Sequence, residues 1–194
     1  MVLHGTMVAP DYLSTLNRDL DILNSVEIGA FISDTAEWAY PTVMENGSFY
    51  FLSPAYTDKE RIAPYKYRIL KFTVEGLKLE LFCELEREAK TISLHDNRIF
   101  AYTLRKSESA DSFNHFIEIY DCSSAKRQHS LSVDYSPAHG EFMGDRLYVN
   151  GFDCLVKYRL EGNDLIEEAR TALNTSGSDD DPSFHYINGI FCRS

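Results

Sequence analysis

A short sequence pattern that recurs four times constrains the fold of this 194-residue chain more than any other feature. Each copy is a turn pair of Asn, Gly or Asp followed by a short aliphatic and aromatic run. Such pairs favour tight turns, and such runs favour β-strands. The copies recur about every 40 to 50 residues, which indicates an array of similar β-sheet units. They lie at 46–51, 96–101, 144–149 and 187–192, with Phe49, Ile99, Leu147 and Ile190 at the aligned position.

The sequence around each copy predicts three more strands, so that each unit has four, which we letter a to d in chain order. The repeated pattern is strand b, and a short strand such as 91–94 precedes it as strand a. Strand c shows the apolar–polar alternation of a half-buried strand. A turn and a closing strand d follow, although the last strand d also tolerates a helix. The predicted c strands are 66–74, 116–121 and 155–160, and the predicted d strands are 77–83, 129–133 and 165–169.

The two ends of the chain have complementary patterns. The N-terminal segments 12–16 and 21–27 have the character of strands c and d, and the C-terminal segment 187–192 has that of strand b. Together they predict one more unit made from both termini. Such sharing covers the last sheet edge of a closed ring.

The order and period of these strands resemble β-propeller repeat proteins of the WD40 and kelch type. The nearest match to a WD40 signature is Ile119-Tyr120-Asp121, and the Gly-His and Trp-Asp pairs are absent. The resemblance implies an all-β fold: a single domain over 1–194 that forms a small propeller of about four blades, closed by the N- and C-terminal strands. Part of a larger propeller and an irregular β-sandwich remain alternatives.

Composition limits the partners and the compartment. The formal net charge is −11 and no basic face is visible, so direct nucleic-acid binding is not expected, whereas a basic protein partner is favoured. No apolar run is long enough to span a membrane, and no secretory signal is recognisable. The four cysteines are far apart, which is typical of a reduced protein of the cytoplasm or nucleus. No metal site or cofactor is expected.

The candidate interaction surface is the face to which the d–a and b–c connections would lead. These connections are predicted to be long, at 29–41, 53–64, 105–114, 135–140 and 171–184. Long loops on a rigid scaffold often carry binding residues, and Tyr and Trp are favoured anchors there. The candidate binding residues are Trp38, Tyr40, Tyr56, Tyr65, Tyr135 and His139.

The expected function is a non-enzymatic protein–protein interaction module or scaffold, since no catalytic or nucleotide-binding motif is present. One alternative is a propeller-type hydrolase, in which carboxylates or histidines facing a central channel perform acid–base chemistry. Another is a subunit docked in a large assembly through a free strand edge at 191–194. The residues considered for the hydrolase are Asp34, Glu37, Asp134, His139 and His185.

Overall fold

The structure, a computed structural model, describes residues 2–5, 10–27, 40–45, 47–56, 64–73, 75–76, 78–107 and 112–173. This part of the chain consists of fifteen β-strands without a helix, which confirms the all-β class. The strands are β1 (Val2–Gly5), β2 (Pro10–Leu16), β3 (Ile22–Glu27), β4 (Tyr40–Glu45), β5 (Ser48–Tyr56), β6 (Pro64–Thr73), β7 (Lys78–Leu85), β8 (Glu88–His95), β9 (Arg98–Lys106), β10 (Phe113–Asp121), β11 (Arg127–Val133), β12 (Pro137–Met143), β13 (Arg146–Gly151), β14 (Cys154–Glu161) and β15 (Asp164–Ala172).

The strands form four antiparallel sheets. Three sheets have four strands each, in the order of the sequence: β4 to β7, β8 to β11 and β12 to β15. These are the three complete a–d units that the repeat predicts. The last d strand, for which the sequence also allowed a helix, is β15.

The fourth sheet contains β1, β2 and β3 in that order. The predicted c and d strands at the N-terminus are β2 and β3, but the sequence analysis missed β1. Its Val2 pairs with Ser14 of β2, so β1 occupies the place beside β2 that we had assigned to 187–192. That detail of the expected closure is therefore wrong, and the segment 187–192 itself lies outside the described residues. A four-residue strand is too short to show a periodic pattern.

In the three sheets of four strands, the recurring turn pairs join strands a and b through two-residue connections. In the connection between β8 and β9, Asp96 and Asn97 both have positive φ, at 50° and 58°. In the connection between β12 and β13, Gly144 has a φ of 63°. Two-residue hairpin turns need this left-handed backbone, and Asn, Asp and Gly adopt it most readily. The repeated sequence pattern thus corresponds to a repeated type of two-residue hairpin turn.

Several connections that we predicted to be long are short. Glu86 and Arg87 alone join β7 to β8, and Phe152 and Asp153 alone join β13 to β14. The connection from β11 to β12 is 134–136, because β12 already begins at Pro137. The loop-rich face is therefore smaller than expected, since the strands extend into segments whose composition is typical of loops.

The chain divides into two compact units, Met1–Ala89 and Lys90–Ser194, with the boundary inside β8. The sequence predicted one domain. In the first unit, Phe51, Ile69, Leu70 and Phe72 are almost fully buried. In the second unit, two sheets share one apolar core, and its largest contributions come from four strands. They are Phe100 and Tyr102 of β9, Ile117 and Ile119 of β10, Leu147 and Val149 of β13, and Val156 and Tyr158 of β14.

Burial along the strands follows their sequence pattern. Residues 99–104 of β9 form a run that is apolar except for Thr103, and all are at most 6% exposed, so both faces of this strand are covered. In β13, by contrast, buried Leu147 and Val149 alternate with partly exposed neighbours. Continuous apolar runs are typical of strands covered on both faces, and alternation is typical of strands covered on one.

Candidate functional site

The second unit has a shallow groove where β11 and β15 lie side by side. Its volume is about 210 Å³, and its apolar lining includes Leu131, Val133 and Leu165. Asp134, Glu167 and Arg170 contribute charged groups to the same groove. Each strand is at the edge of its own sheet. The groove is thus a mixed polar and apolar surface between two sheet edges, with charged groups on both strands.

Polar pairs between the two strands mark both ends of the groove. At one end, the Nδ1 of His129 lies 3.4 Å from a carboxylate oxygen of Asp164. At the other end, the Nη1 of Arg170 lies 2.8 Å from Oδ1 of Asp134. The six residues from 129 to 134 span about 17 Å at the usual rise of a strand. The groove has the length of a short extended peptide.

A guanidinium site lies at the second end of the groove. Arg170 donates from Nε to Oε1 of Glu167 at 3.0 Å and from Nη2 to Oε2 at 2.9 Å. Its Nη1 pairs with Asp134, and its guanidinium carbon lies 5.2 Å from the centre of the Tyr135 ring. Glu167 and Asp134 raise the pKa of Arg170 above its usual value, and Arg170 lowers the pKa of Asp134.

A β-bulge brings Glu167 and Arg170 to the same face of β15. Residues three apart in a regular strand point to opposite faces. Here Tyr158 pairs with Glu167 but the preceding Lys157 pairs with Ala169, so Glu168 is an extra residue in β15. The bulge reverses the alternation, and both charged side chains join the face that carries Tyr158.

Tyr135 forms a fixed platform beneath Arg170. Its hydroxyl is hydrogen-bonded to that of Tyr158 at 3.0 Å, and both side chains are buried. Burial raises the pKa of Tyr158 to about 12 and that of Tyr135 as well, so both hydroxyls are protonated at neutral pH. The ring also needs a glycine at 151, because an added Cβ there would lie 2.8 Å from Cδ2 of Tyr135.

Three of the six predicted binding residues lie at one end of a single sheet. Tyr40 is the first residue of β4, Tyr56 is the last of β5, and Tyr65 is the second of β6. Tyr56 pairs with Pro64, the neighbour of Tyr65. The backbones of Tyr56 and Tyr65 are therefore close to each other, and both residues are parts of strands and not of loops. Trp38 lies outside the described residues.

The other two predicted residues belong to the second unit. Tyr135 is 6% exposed, so it is a core residue and not the exposed anchor that we expected. Its phenol hydroxyl is hydrogen-bonded to that of Tyr158 inside the core. His139 lies within β12 opposite Asn150, and its Nε2 is 3.5 Å from Glu141.

The sequence analysis missed Glu167 and Arg170, and it considered Asp134 only for a hydrolase. Asp134 lies at the groove, paired with Arg170. Asp34, Glu37 and His185 lie outside the described residues. The sequence Glu167-Glu168-Ala169-Arg170 did not indicate a site, because Glu167 and Arg170 share a face of β15 only through the bulge.

The part of the chain that the structure describes contains neither a cluster of metal-binding groups nor a membrane-spanning helix. It has no group of three or more His, Cys, Asp or Glu that could hold a metal ion. It also has no helix long and apolar enough to cross a membrane.

Comparison with known proteins gives a likeness of fold alone. No family model matches the chain, and no curated protein matches it. Among solved structures, it is similar to the acylaminoacyl peptidase of Pyrococcus horikoshii, with a TM-score of 0.52 and 12% sequence identity. The match covers 77% of this chain and 26% of the peptidase, so this chain spans about a quarter of that protein's length. At this identity, the likeness concerns the arrangement of strands and not the activity.

Proposed function

We propose that this chain is a propeller-like protein-interaction module that binds a basic, extended segment of another protein in the groove between β11 and β15. The propeller architecture is supported by three consecutive four-stranded sheets with the same strand order. It is also supported by the direction of the two d strands, because His129 faces Asp164 and Asp134 faces Arg170. Equivalent strands of units repeated around an axis run parallel in this way.

The observation that carries the proposal is a groove that combines a few apolar side chains with a carboxylate pair at its end. Leu131 and Val133, which are partly exposed, offer apolar surface to the side chains of an extended segment. Asp134 and Glu167 offer carboxylates that already hold a guanidinium group. Charged groups at the rim of an interface give specificity and orient the partner.

Size and charge favour a peptide over a small molecule. Small-molecule sites usually enclose about 300–1,000 Å³, and this groove is smaller and lies open along two edge strands. Extended peptides bind well beside sheet edges, where backbone and alternate side chains both make contacts. A formal net charge of −11 attracts a basic segment from a distance. The hydrolase and the docked-subunit alternatives gain no specific support from the described residues.

The test is direct binding of designed peptides, measured by fluorescence anisotropy. One labelled pool alternates Lys or Arg with aliphatic residues, and a matched pool has Glu in place of the basic residues. We expect the basic pool to bind and the combined Asp134→Asn and Glu167→Gln variant to bind at least about tenfold more weakly.

The matched control is the combined Asp145→Asn and Glu161→Gln variant. It changes the net charge by the same amount, but neither residue lines the groove. Equal binding of both pools, or an equal loss in this control, would show that binding reflects overall charge and would overturn the proposal.

A further inference from the structure

We infer that Asp134, Glu167 and Tyr135 form a binding site selective for the guanidinium group of arginine, which Arg170 fills in the free chain. The inference rests on the proposed function in one respect: in the complex, an arginine of the bound segment replaces Arg170. The site thus defines which basic residue the partner must carry at this end of the groove.

The selectivity for arginine follows from the shape of the site. Both oxygens of Glu167 accept parallel hydrogen bonds from one edge of a guanidinium, at 3.0 and 2.9 Å. Asp134 accepts from a further nitrogen at 2.8 Å. A planar fork of donors satisfies both carboxylates at once, whereas an ammonium is a point charge that does not match two parallel acceptors. The arrangement of the carboxylates therefore matches the planar guanidinium group of arginine.

The ring of Tyr135 adds a third contact that an arginine satisfies well. The guanidinium of Arg170 lies over this ring at 5.2 Å from its centre. Guanidinium groups stack on aromatic faces and are more weakly hydrated than ammonium groups. Because Tyr158 and the absence of a side chain at Gly151 hold the ring in place, the platform does not depend on Arg170.

Arg170 can exchange with an external group because the ion pairs are open to solvent. The side chain of Arg170 is 34% exposed, and those of Asp134 and Glu167 are 77% and 40% exposed. Exposed ion pairs of this kind contribute little to stability, so replacing one guanidinium by another has a small net cost. Arg170 also belongs to an edge strand, from which its side chain can turn away into water.

The first test is chemical rescue of the Arg170→Ala variant with methylguanidinium. The readouts are the thermal unfolding temperature and the NMR shifts of the Asp134 and Tyr135 backbone amides. We expect saturable shifts with methylguanidinium and much smaller ones with methylammonium. The wild-type protein should respond only at much higher methylguanidinium concentrations, because Arg170 already fills the site and competes with the added group.

Arg159→Ala is the matched control, since Arg159 lies on the neighbouring strand and pairs with Glu168, away from the groove. A similar response in this control or in the wild-type protein would overturn the inference, as would an equal response to methylammonium. Arg170→Gln, which keeps more of the side-chain volume, serves the same purpose if the alanine variant does not fold.

Peptide binding separates this inference from the proposed function. We expect Arg170→Ala to bind the arginine peptides about tenfold more tightly than the wild-type protein, with little change for lysine peptides. If rescue succeeds and no basic peptide binds, the guanidinium site stands and the docking function fails. If basic peptides bind to the groove but rescue fails, the docking function stands and the guanidinium site is wrong.

Discussion

Gly140 and Tyr102 lie so close together that no other residue fits at position 140. A Cβ added to Gly140 would lie 2.0 Å from the hydroxyl oxygen of Tyr102 and 2.7 Å from its Cζ. Tyr102 is fully buried in β9, and its hydroxyl is hydrogen-bonded to that of Ser93 at 2.8 Å. Gly140 of β12 therefore allows the sheet of β12 to β15 to approach the sheet of β8 to β11 closely, across the tightly packed side chain of Tyr102.

Replacing Gly140 with alanine should destabilise the fold. The added methyl group must displace Tyr102 or shift β12 away from β9, and overpacking of this kind costs about 1–3 kcal/mol. Urea unfolding would measure the change in the free energy of unfolding. Glu141→Ala, at an exposed neighbouring position, is the control and should change it by less than about 0.5 kcal/mol. A Gly140→Ala protein as stable as this control would contradict the close approach.

The hydroxyl pair of Tyr135 and Tyr158 should show coupling in a double-mutant cycle. Each single change to phenylalanine leaves the other buried hydroxyl without this partner, at a cost of about 1–2 kcal/mol. The double change removes both polar groups, so its cost should be smaller than the sum of the two single costs. Urea unfolding of the four proteins gives the coupling. Additive costs would mean that the two hydroxyls do not depend on each other.

Most of the strand pattern could be predicted from the sequence because its signals are local. The hairpin pairs Asp96-Asn97 and Gly144-Asp145 need backbone angles that few residue types adopt, and alternation in β14 reports one buried face. Connection lengths were less predictable. Tyr56 and His139 lie in segments of loop-like composition, yet they extend strands, because pairing with a neighbouring strand outweighs weak local preferences.

The groove could not be predicted, because it depends on relations between distant residues. Asp134 and Arg170 meet only when two sheet edges lie side by side, and Glu167 joins them only through the bulge in β15. Tyr135 was predicted as an exposed anchor from its residue type. Its burial involves the Tyr158 hydroxyl and the space at Gly151, neither of which has a signal near Tyr135 in the sequence.

The buried carboxylate of Glu118 makes Arg127 important for stability. Glu118 is fully buried in β10 and accepts from Nη1 of Arg127 at 2.8 Å. Thr103 and Tyr120 also donate to it, at 3.2 and 3.3 Å. Arg127→Met should lower the free energy of unfolding by about 3 kcal/mol, because it leaves a buried charge without this cation.

Two comparisons support the interpretation of that result. Glu118→Gln with Arg127→Met removes both charges and should restore part of the lost stability. Arg105→Met, an exposed change on β9, should have little effect in the same urea experiment. If Arg127→Met were as mild as Arg105→Met, the pair would contribute nothing measurable.

Stability should fall in acid partly because of Glu168, which sits among three cations. Its carboxylate accepts from Nζ of Lys157 at 3.0 Å, from Nε of Arg146 at 2.8 Å and from Nε of Arg159 at 3.0 Å. Lys157 and then Arg146 lower the pKa of Glu168 below its usual value of 4.5. The folded protein therefore binds this proton less readily than the unfolded chain does. The resulting stability is complete above the unfolded pKa and is lost as the pH falls towards the folded one.

The Glu168→Gln variant tests this dependence. We expect the wild-type protein to be more stable at pH 7. The difference should shrink as the pH falls below about 4.5, because Glu168 of the unfolded chain takes up its proton first and the folded carboxylate loses its charge at still lower pH. Urea unfolding at a series of pH values would measure both curves. Glu75→Gln, an equal change of charge in an exposed turn, should run parallel to the wild-type curve. A constant difference for Glu168→Gln at every pH would mean that the cations stabilise the side chain through packing and not through its charge.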